Sequence, residues 1–145
     1  MINAITEGIS MALHAEFGDA YTIYTEGVEQ GLQEPCFFLF CIEPTSREFF
    51  GKRYFRENPF CIQYFPADKS REREECAAVS ERLFSALEYI AVTGDLLRGT
   101  RMHMAFSDGV LSFFVNYDLF VYQFDPEEEK RDAMDGISAS IAVKG

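Results

Sequence analysis

A chain of 145 residues can form one domain that buries about 68–70% of its unfolded surface, so no disulfide or metal is required for folding. The formal charge of −11 argues against direct binding to DNA or to an anionic membrane, because contact with phosphates relies on clustered Lys and Arg. Fifteen Phe and seven Tyr, with no Trp, predict a strongly aromatic core.

The first segment predicts an amphipathic helix, with Asn3 as its cap and Gly18 at its end. Its apolar side chains recur at spacings of three and four: Ile2, Ile5, Ile9, Leu13 and Phe17. Gly8 weakens the middle of this helix by about 1 kcal/mol relative to Ala. The segment has neither a basic start nor a long apolar run, which predicts a cytoplasmic protein without a signal peptide or a membrane span.

A short strand is predicted at residues 21–26, followed by a loop rich in Gly and Glu at residues 27–34. Residues 35–42 (PCFFLFCI) are apolar without alternation, which indicates a central strand covered on both faces. Residues 43–52 are expected to form a turn, in which Phe49 and Phe50 are either a contact surface or ordinary core. Residues 53–65 predict a strand interrupted at Asn58-Pro59, because Pro lacks the donor that a strand ladder needs.

Pro66 and Asp68 precede a second predicted helix, from Ser70 to about Ile90, whose charged first turns face solvent. Its buried stripe comprises Cys76, Val79, Leu83, Leu87 and Ile90. The four cysteines show no metal-ligand spacing and are interpreted as buried free thiols: Cys36, Cys41, Cys61 and Cys76.

Residues 101–124 predict a long β-hairpin, because Asp108-Gly109 suits a two-residue type I′ turn. The turn places six apolar side chains on one face, pairing Phe106 with Leu111, Met104 with Phe113 and Met102 with Val115. The wetter face pairs Ala105 with Ser112, His103 with Phe114 and Arg101 with Asn116. A strand from residue 110 to residue 124 would be roughly 50 Å long, so it must bend or extend beyond its own domain.

The predicted order is α-β-β-β-α-β-β, an α+β fold in which two helices pack on one face of a mainly antiparallel sheet. Residues 1–124 form the single domain, and residues 125–145 form a C-terminal tail. Residues 125–128 have the pattern of a helix start. Residues 137–144 alternate like an edge strand that pairs with a sheet edge of the same or a neighbouring subunit, the alternative being a tail without order.

No nucleotide-binding or nucleophile motif occurs in the sequence. His14 and His103 have no partners at the spacing of a triad or metal site, and the acidic runs resemble solvent-facing carboxylates. The sequence therefore predicts a protein that is not an enzyme and that binds no cofactor or metal.

Three stretches carry a resemblance to a known family: PCFF at residues 35–38, GKRYFRENPFCIQYFP at 51–66 and GVLSFFVNYDLFVY at 109–122. With these in view, residues 1 to about 124 resemble the phage tail terminator family of tailed phages and prophages. The resemblance implies a virion-assembly protein that forms a hexameric ring on the head-proximal end of the tail tube. Such a ring ends tube polymerisation and prepares head joining. The alternatives are a head-tail connector or neck protein and, less favoured, a small enzyme.

The partners implied by the resemblance are further copies of the chain, the major tail tube protein and the head-tail connector proteins. DNA would only pass through the lumen, and the protein would move from the host cytoplasm into the virion tail. The candidate interface residues combine aromatic and basic side chains: Arg47, Phe49, Phe50, Lys52, Arg53, Tyr54 and Arg56.

A ring needs two different patches on each subunit. The acidic loop at residues 27–34 and the far end of the hairpin are the candidates for the opposing patch. Self-repulsion at −11 should keep the free protein largely monomeric at low salt.

Overall fold

Two helices and ten strands are formed by the residues that the computed structural model describes, 1–27 and 31–122. The helices are α1 (Ile2–Phe17) and α2 (Glu72–Ala86), the second preceded by a 3-10 turn at Lys69–Arg71. The strands are β1 (Thr22–Tyr24), β2 (Cys36–Cys41), β3 (Thr45–Phe50), β4 (Arg53–Glu57), β5 (Pro59–Phe65), β6 (Tyr89–Val92), β7 (Asp95–Arg98), β8 (Thr100–Ser107), β9 (Val110–Asn116) and β10 (Leu119–Tyr122). The predicted α+β class is confirmed.

A five-stranded sheet in the order β1-β2-β5-β9-β8 forms the body of the molecule. Within this sheet, β1 and β2 are parallel, and the other three pairs of neighbouring strands are antiparallel. Helix α1 packs on β2 and β6, α2 packs on β8 and β9, and the two helices also touch each other. The core lies between these helices and the sheet, and its largest fully buried side chains include Phe37, Phe60, Tyr64, Phe113 and Tyr117.

The boundaries of α1 differ from the prediction at one end. The helix begins at Ile2, with Met1 as its N-cap and no side-chain capping bond, so Asn3 lies inside the first turn and the predicted cap was wrong. Gly18 ends the helix with φ 79°, as expected of a residue that must enter the left-handed region. A Cβ on Gly8 would lie 2.7 Å from the Ala91 carbonyl oxygen, so this glycine permits the close approach of α1 and β6.

The second helix is shorter than predicted. It ends at Ala86, and Ile90, which was assigned to the helix, lies in β6, where it is still buried. Strands β6 and β7 form a separate hairpin whose turn residues Thr93 and Gly94 have φ of 47° and 87°. The apolar spacing continues from α2 into this strand, which is why the sequence pattern did not separate them.

The β8–β9 hairpin has the predicted register near its turn, with Met104 opposite Phe113 and Phe106 opposite Leu111. The register shifts between Thr100 and His103, where Arg101 has a positive φ of 53°, so Asn116 pairs with Thr100 and not with Arg101. This irregularity is a β-bulge, which adds one residue to a strand and increases its local twist.

Both long strands leave the five-stranded sheet at one joint. The first breaks at Asn58 between β4 and β5, and the other breaks at Tyr117-Asp118 between β9 and β10. Buried Asn58 donates from Nδ2 to the Tyr117 carbonyl oxygen over 3.0 Å, and the Tyr117 N–H donates back to the Asn58 carbonyl oxygen. The expected interruption at Asn58-Pro59 is confirmed. Of the two alternatives for the second long strand, a bend or an extension beyond the domain, the structure shows the bend, because the chain continues as β10 in another sheet.

Strand β2 is fully covered on one face only. Phe37 and Leu39 are buried on that face, whereas on the other face Cys36 is buried, Phe38 is half-buried and Phe40 is exposed, so the prediction of two covered faces was wrong. The prediction of buried free thiols is confirmed for Cys36, Cys61 and Cys76 but was wrong for Cys41, which is half-buried. Burial raises the pKa of both Cys61 and Cys76 to about 11. The predicted tail elements at 125–128 and 137–144 lie outside the described residues.

Glu75 ties the start of α2 to the sheet. Its carboxylate accepts hydrogen bonds from the Tyr64 hydroxyl (2.6 Å) and from the N–H groups of Ala67 and Asp68. Burial raises the pKa of this carboxyl, but the three hydrogen bonds outweigh it and hold the pKa below its ordinary value of 4.5. The carboxylate therefore stabilises the fold above pH 4.5, and this stabilisation is lost as the pH falls through the lower folded-state pKa.

Replacing Glu75 with Gln should lower the melting temperature at pH 7, because a neutral amide accepts these hydrogen bonds more weakly than a carboxylate. The difference from the wild type should shrink at acidic pH, as the pH falls through the lowered pKa of the wild-type carboxyl and that group also becomes neutral. Thermal melts followed by circular dichroism at the two pH values measure this. An equal difference at both pH values would contradict the assigned role of the charge.

Candidate interaction surface

The seven candidate interface residues all fall on one β-hairpin. The residues Arg47, Phe49 and Phe50 lie on β3, Lys52 lies in the turn, and Arg53, Tyr54 and Arg56 lie on β4. Gly51 opens the turn with φ 60°, a conformation that favours glycine. The segment predicted as a turn, residues 43–52, is therefore mostly an edge strand.

This hairpin belongs to a three-stranded antiparallel sheet in the order β10-β4-β3. Because side chains alternate along a strand, the hairpin does not present its candidates on one face. Arg53 lies opposite Tyr122, whereas Tyr54 and Arg56 lie opposite Val121 and Leu119 on the other face. The structure thus brings the seven residues into one element but divides them between two faces.

One face of this sheet is a cluster of aromatic rings and guanidinium groups, which we call the aromatic face: Arg47, Phe49, Arg53, Phe55, Phe120 and Tyr122. The Arg53 guanidinium carbon lies 4.5 Å from the ring centroid of Phe120, 5.6 Å from that of Phe49 and 6.0 Å from that of Tyr122. The Phe49 and Phe120 centroids are 5.0 Å apart. Cations over aromatic faces attract the ring quadrupole, so these contacts hold the long Arg53 side chain across the sheet.

Sequence reasoning missed Phe55, Phe120 and Tyr122 as members of this face. Phe120 lies 5.0 Å from Phe55 between ring centroids, and the Arg47 guanidinium carbon lies 5.1 Å from the Phe55 centroid. A signal was present, because Phe120 and Tyr122 alternate with the apolar residues Leu119 and Val121, whose side chains point to the other face of the strand. That alternation predicts a second apolar face at this point of the chain.

Strand β3 is the exposed edge of the sheet, and all six of its residues are solvent-exposed. Phe50 is 78% exposed and Phe49 is 52% exposed. The sequence left open whether these two residues belong to a contact surface or to the core, and their exposure supports the contact surface. An edge strand that carries large exposed aromatic side chains is a feature of interaction sites.

The opposite edge of the same sheet borders a groove of about 290 Å³. Its walls come from the β6–β7 hairpin and from β10: Val92, Thr93, Asp95, Leu96, Leu97, Leu119 and Phe120. Leu96 is 71% exposed at its rim. The groove was not predicted, because it lies between the β6–β7 hairpin and β10, which are separated in sequence by β8 and β9.

Asp118 lies at the joint that leads into this sheet. Burial raises the pKa of its carboxyl, while a hydrogen bond from the Asn58 backbone N–H and the nearby charge of Arg101 act in the opposite direction. The nitrogens Nε of Arg53 and Nε of Arg56 are buried and have no hydrogen-bond partner among the described residues.

Within residues 1–27 and 31–122, no group of three or more His, Cys, Asp or Glu side chains is placed to hold a metal ion. His14 lies 3.2 Å from exposed Asp19, and His103 stacks on Phe114 with ring centroids 4.8 Å apart. No helix of the described chain is long and apolar enough to cross a membrane. Of the acidic loop at 27–34, Glu34 forms an ion pair with Lys69, and residues 28–30 are not described.

Comparison of the amino-acid sequence with protein-family models shows which family the chain is similar to. A family model described as "Phage tail terminator protein" matches residues 4–130, which is most of the chain. The chain belongs to the phage tail terminator family. The resemblance seen in the sequence is therefore confirmed.

A solved structure that is 14% identical aligns with 83% of this chain and 97% of its own, with a TM-score of 0.36. No curated protein matches the chain in sequence. Membership of the tail terminator family makes this protein a structural component of phage tail assembly, and its family is not one of enzymes.

Proposed function

We propose that this tail terminator caps the growing tail tube as a six-membered ring, ends tube polymerisation and prepares the tail for head joining. The observation that carries the proposal is the three-stranded sheet, whose exposed β3 edge and opposite groove lie on two different sides of each subunit. Identical subunits that touch through two different patches make closed rings when the rotation between them closes.

The proposed partners follow from this position. Each subunit contacts further copies of the chain within the ring, the major tail tube protein on one side and head-tail connector proteins on the other. Assembly takes place in the host cytoplasm and ends at the head-proximal end of the virion tail. The charge of −11 per subunit supports passage of DNA through the lumen, because like charges repel and the DNA does not adhere to the wall.

Loss of the protein should remove the control of tail length. Particles made without it are expected to carry tails of irregular, extended length and no joined heads, because nothing stops subunit addition at the tube end. Electron microscopy of negatively stained lysates measures the tail-length distribution. Adding the purified protein to tubes of the matching tail tube protein should cap them and narrow that distribution.

The two alternatives give different images. Tails of normal length without heads would assign the protein to head joining, as a connector or neck protein. If particles made without the protein carry tails of normal length with heads attached, the proposed function is contradicted.

A further inference from the structure

We infer that the β3 edge of each subunit docks on the β10 edge of the next subunit, with the Phe50 side chain seated in the groove between the β6–β7 hairpin and β10. The inference rests on the proposed ring and names the two patches that close it. It replaces the acidic loop at residues 27–34 as the surface opposite the β3–β4 hairpin.

The first step is the position of the two surfaces. Strands β3 and β10 flank β4 on opposite sides, so they form the two outer edges of one sheet. With neighbouring strands about 4.8 Å apart, these edges face away from each other across roughly 10 Å. A neighbour on the β3 side therefore cannot also occupy the groove of the same subunit, and each subunit has one donor edge and one acceptor edge.

The second step separates the two exposed aromatic residues of β3. The Phe49 ring is already packed within its own subunit, 5.0 Å from Phe120 and beneath Arg53. Phe50 follows an irregularity in the β3–β4 register and is 78% exposed. Phe50 is therefore the side chain that can enter a pocket on another subunit without breaking an internal aromatic contact.

The third step is the chemistry of the groove. Its walls are mainly apolar, with Val92, Leu96, Leu97 and Leu119 beside the Phe120 ring. Its volume of about 290 Å³ accepts one aromatic side chain. An aromatic anchor in a desolvated pocket is the typical source of binding energy at a protein interface.

The distribution of charge favours a contact between the β3–β4 hairpin and the groove over a two-fold symmetric contact between two such hairpins. Residues 45–57 carry four basic and two acidic side chains, a net charge of +2, which leaves −13 for the other 132 residues of the chain. The β3–β4 hairpin is thus a basic element on an acidic subunit, and Asp95 lies in the groove wall. Two β3–β4 hairpins, each with a net charge of +2, would repel each other, whereas such a hairpin is attracted to Asp95 in the groove wall.

Disulfide trapping tests the contact directly. Phe50→Cys and Leu96→Cys are made as separate full-length variants, and both positions are exposed enough for folding to be unaffected. The two variants are mixed, assembled at high salt or on tube ends, treated with a mild oxidant and analysed on a non-reducing gel. A covalent dimer is expected from the mixture and from neither variant alone, because the contact joins two different patches.

Two controls accompany the trapping. The wild type measures any background from its four native cysteines, of which three are buried. Met11→Cys, at a position on α1 that is 63% exposed, replaces Leu96→Cys in a parallel mixture and should give no dimer with Phe50→Cys.

The outcomes separate the inference from the proposed function. A dimer formed by Phe50→Cys alone, or intact rings without any dimer in the mixture, would overturn the inference and leave the ring in place. If microscopy shows neither rings nor capped tubes for the wild type, the proposed function has failed and the inference fails with it.

Discussion

Replacing Phe113 with Ala is expected to lower the free energy of unfolding by about 3–5 kcal/mol, the usual cost of removing a buried phenyl ring. Phe113 is fully buried on the central part of the sheet, between Ile62 on β5 and Met104 on β8. Its ring meets Phe84 of α2 edge to face, with centroids 4.9 Å apart. The substitution would therefore leave a cavity where helix and sheet meet. Urea unfolding followed by far-ultraviolet circular dichroism measures the loss.

Phe114→Ala is the matched control for this variant. Phe114 is the next residue of β9 and points to the opposite face of the sheet, where it is half-buried against His103. Its truncation removes less buried surface and leaves no closed cavity, so the cost should be clearly smaller. Equal losses for the two variants would mean that the register of the hairpin is wrong.

Gly99→Ala is expected to destabilise the fold by about 1–3 kcal/mol, because the added methyl group overpacks a filled site. A Cβ at this position would lie 2.5 Å from the Leu87 carbonyl oxygen and 2.8 Å from Cγ2 of Val115. The first contact is with backbone at the end of α2, and the second is with a fully buried core side chain. Neither group can move without disturbing the contact between helix and sheet.

Gly27→Ala provides the comparison, because a Cβ there meets no atom within 4 Å. This variant should be neutral or slightly more stable than the wild type, since Ala restricts the unfolded chain more than Gly does. Both variants are measured by the same urea unfolding. A neutral result for Gly99→Ala would show that the chain can relax around position 99.

The sequence predicted those parts of the fold in which two local signals agree. The Asp108-Gly109 turn and the alternation of β9 specify the same register, and the structure has that register from the turn to His103, which lies opposite Phe114. The bulge at Arg101 was missed because neither Gly nor Pro marks it. The β6–β7 hairpin was missed because its first buried residue, Ile90, continues the helical spacing of α2, and the next glycine comes only at Gly94.

The candidate surface was predicted only in part, for a similar reason. Composition drew attention to Phe49, Phe50 and the nearby cations, and these do lie on one exposed hairpin. A fully exposed edge strand has no buried face, so its sequence shows no alternation and was interpreted as a turn. The groove depends on the packing of β10 beside a hairpin that the pattern did not reveal, so no local signal could have identified it.

The three-stranded sheet differs from the body of the protein in how little of it is buried. Strands β3, β4 and β10 contain no fully buried residue, whereas β5 and β9 contain several. Regions with few buried apolar contacts open with less free energy than global unfolding requires. Local opening of this sheet therefore leaves the helices and the five-stranded sheet folded. A neighbour that binds only the closed sheet raises the free energy of that opening, so assembly into a ring stabilises this weakly buried sheet.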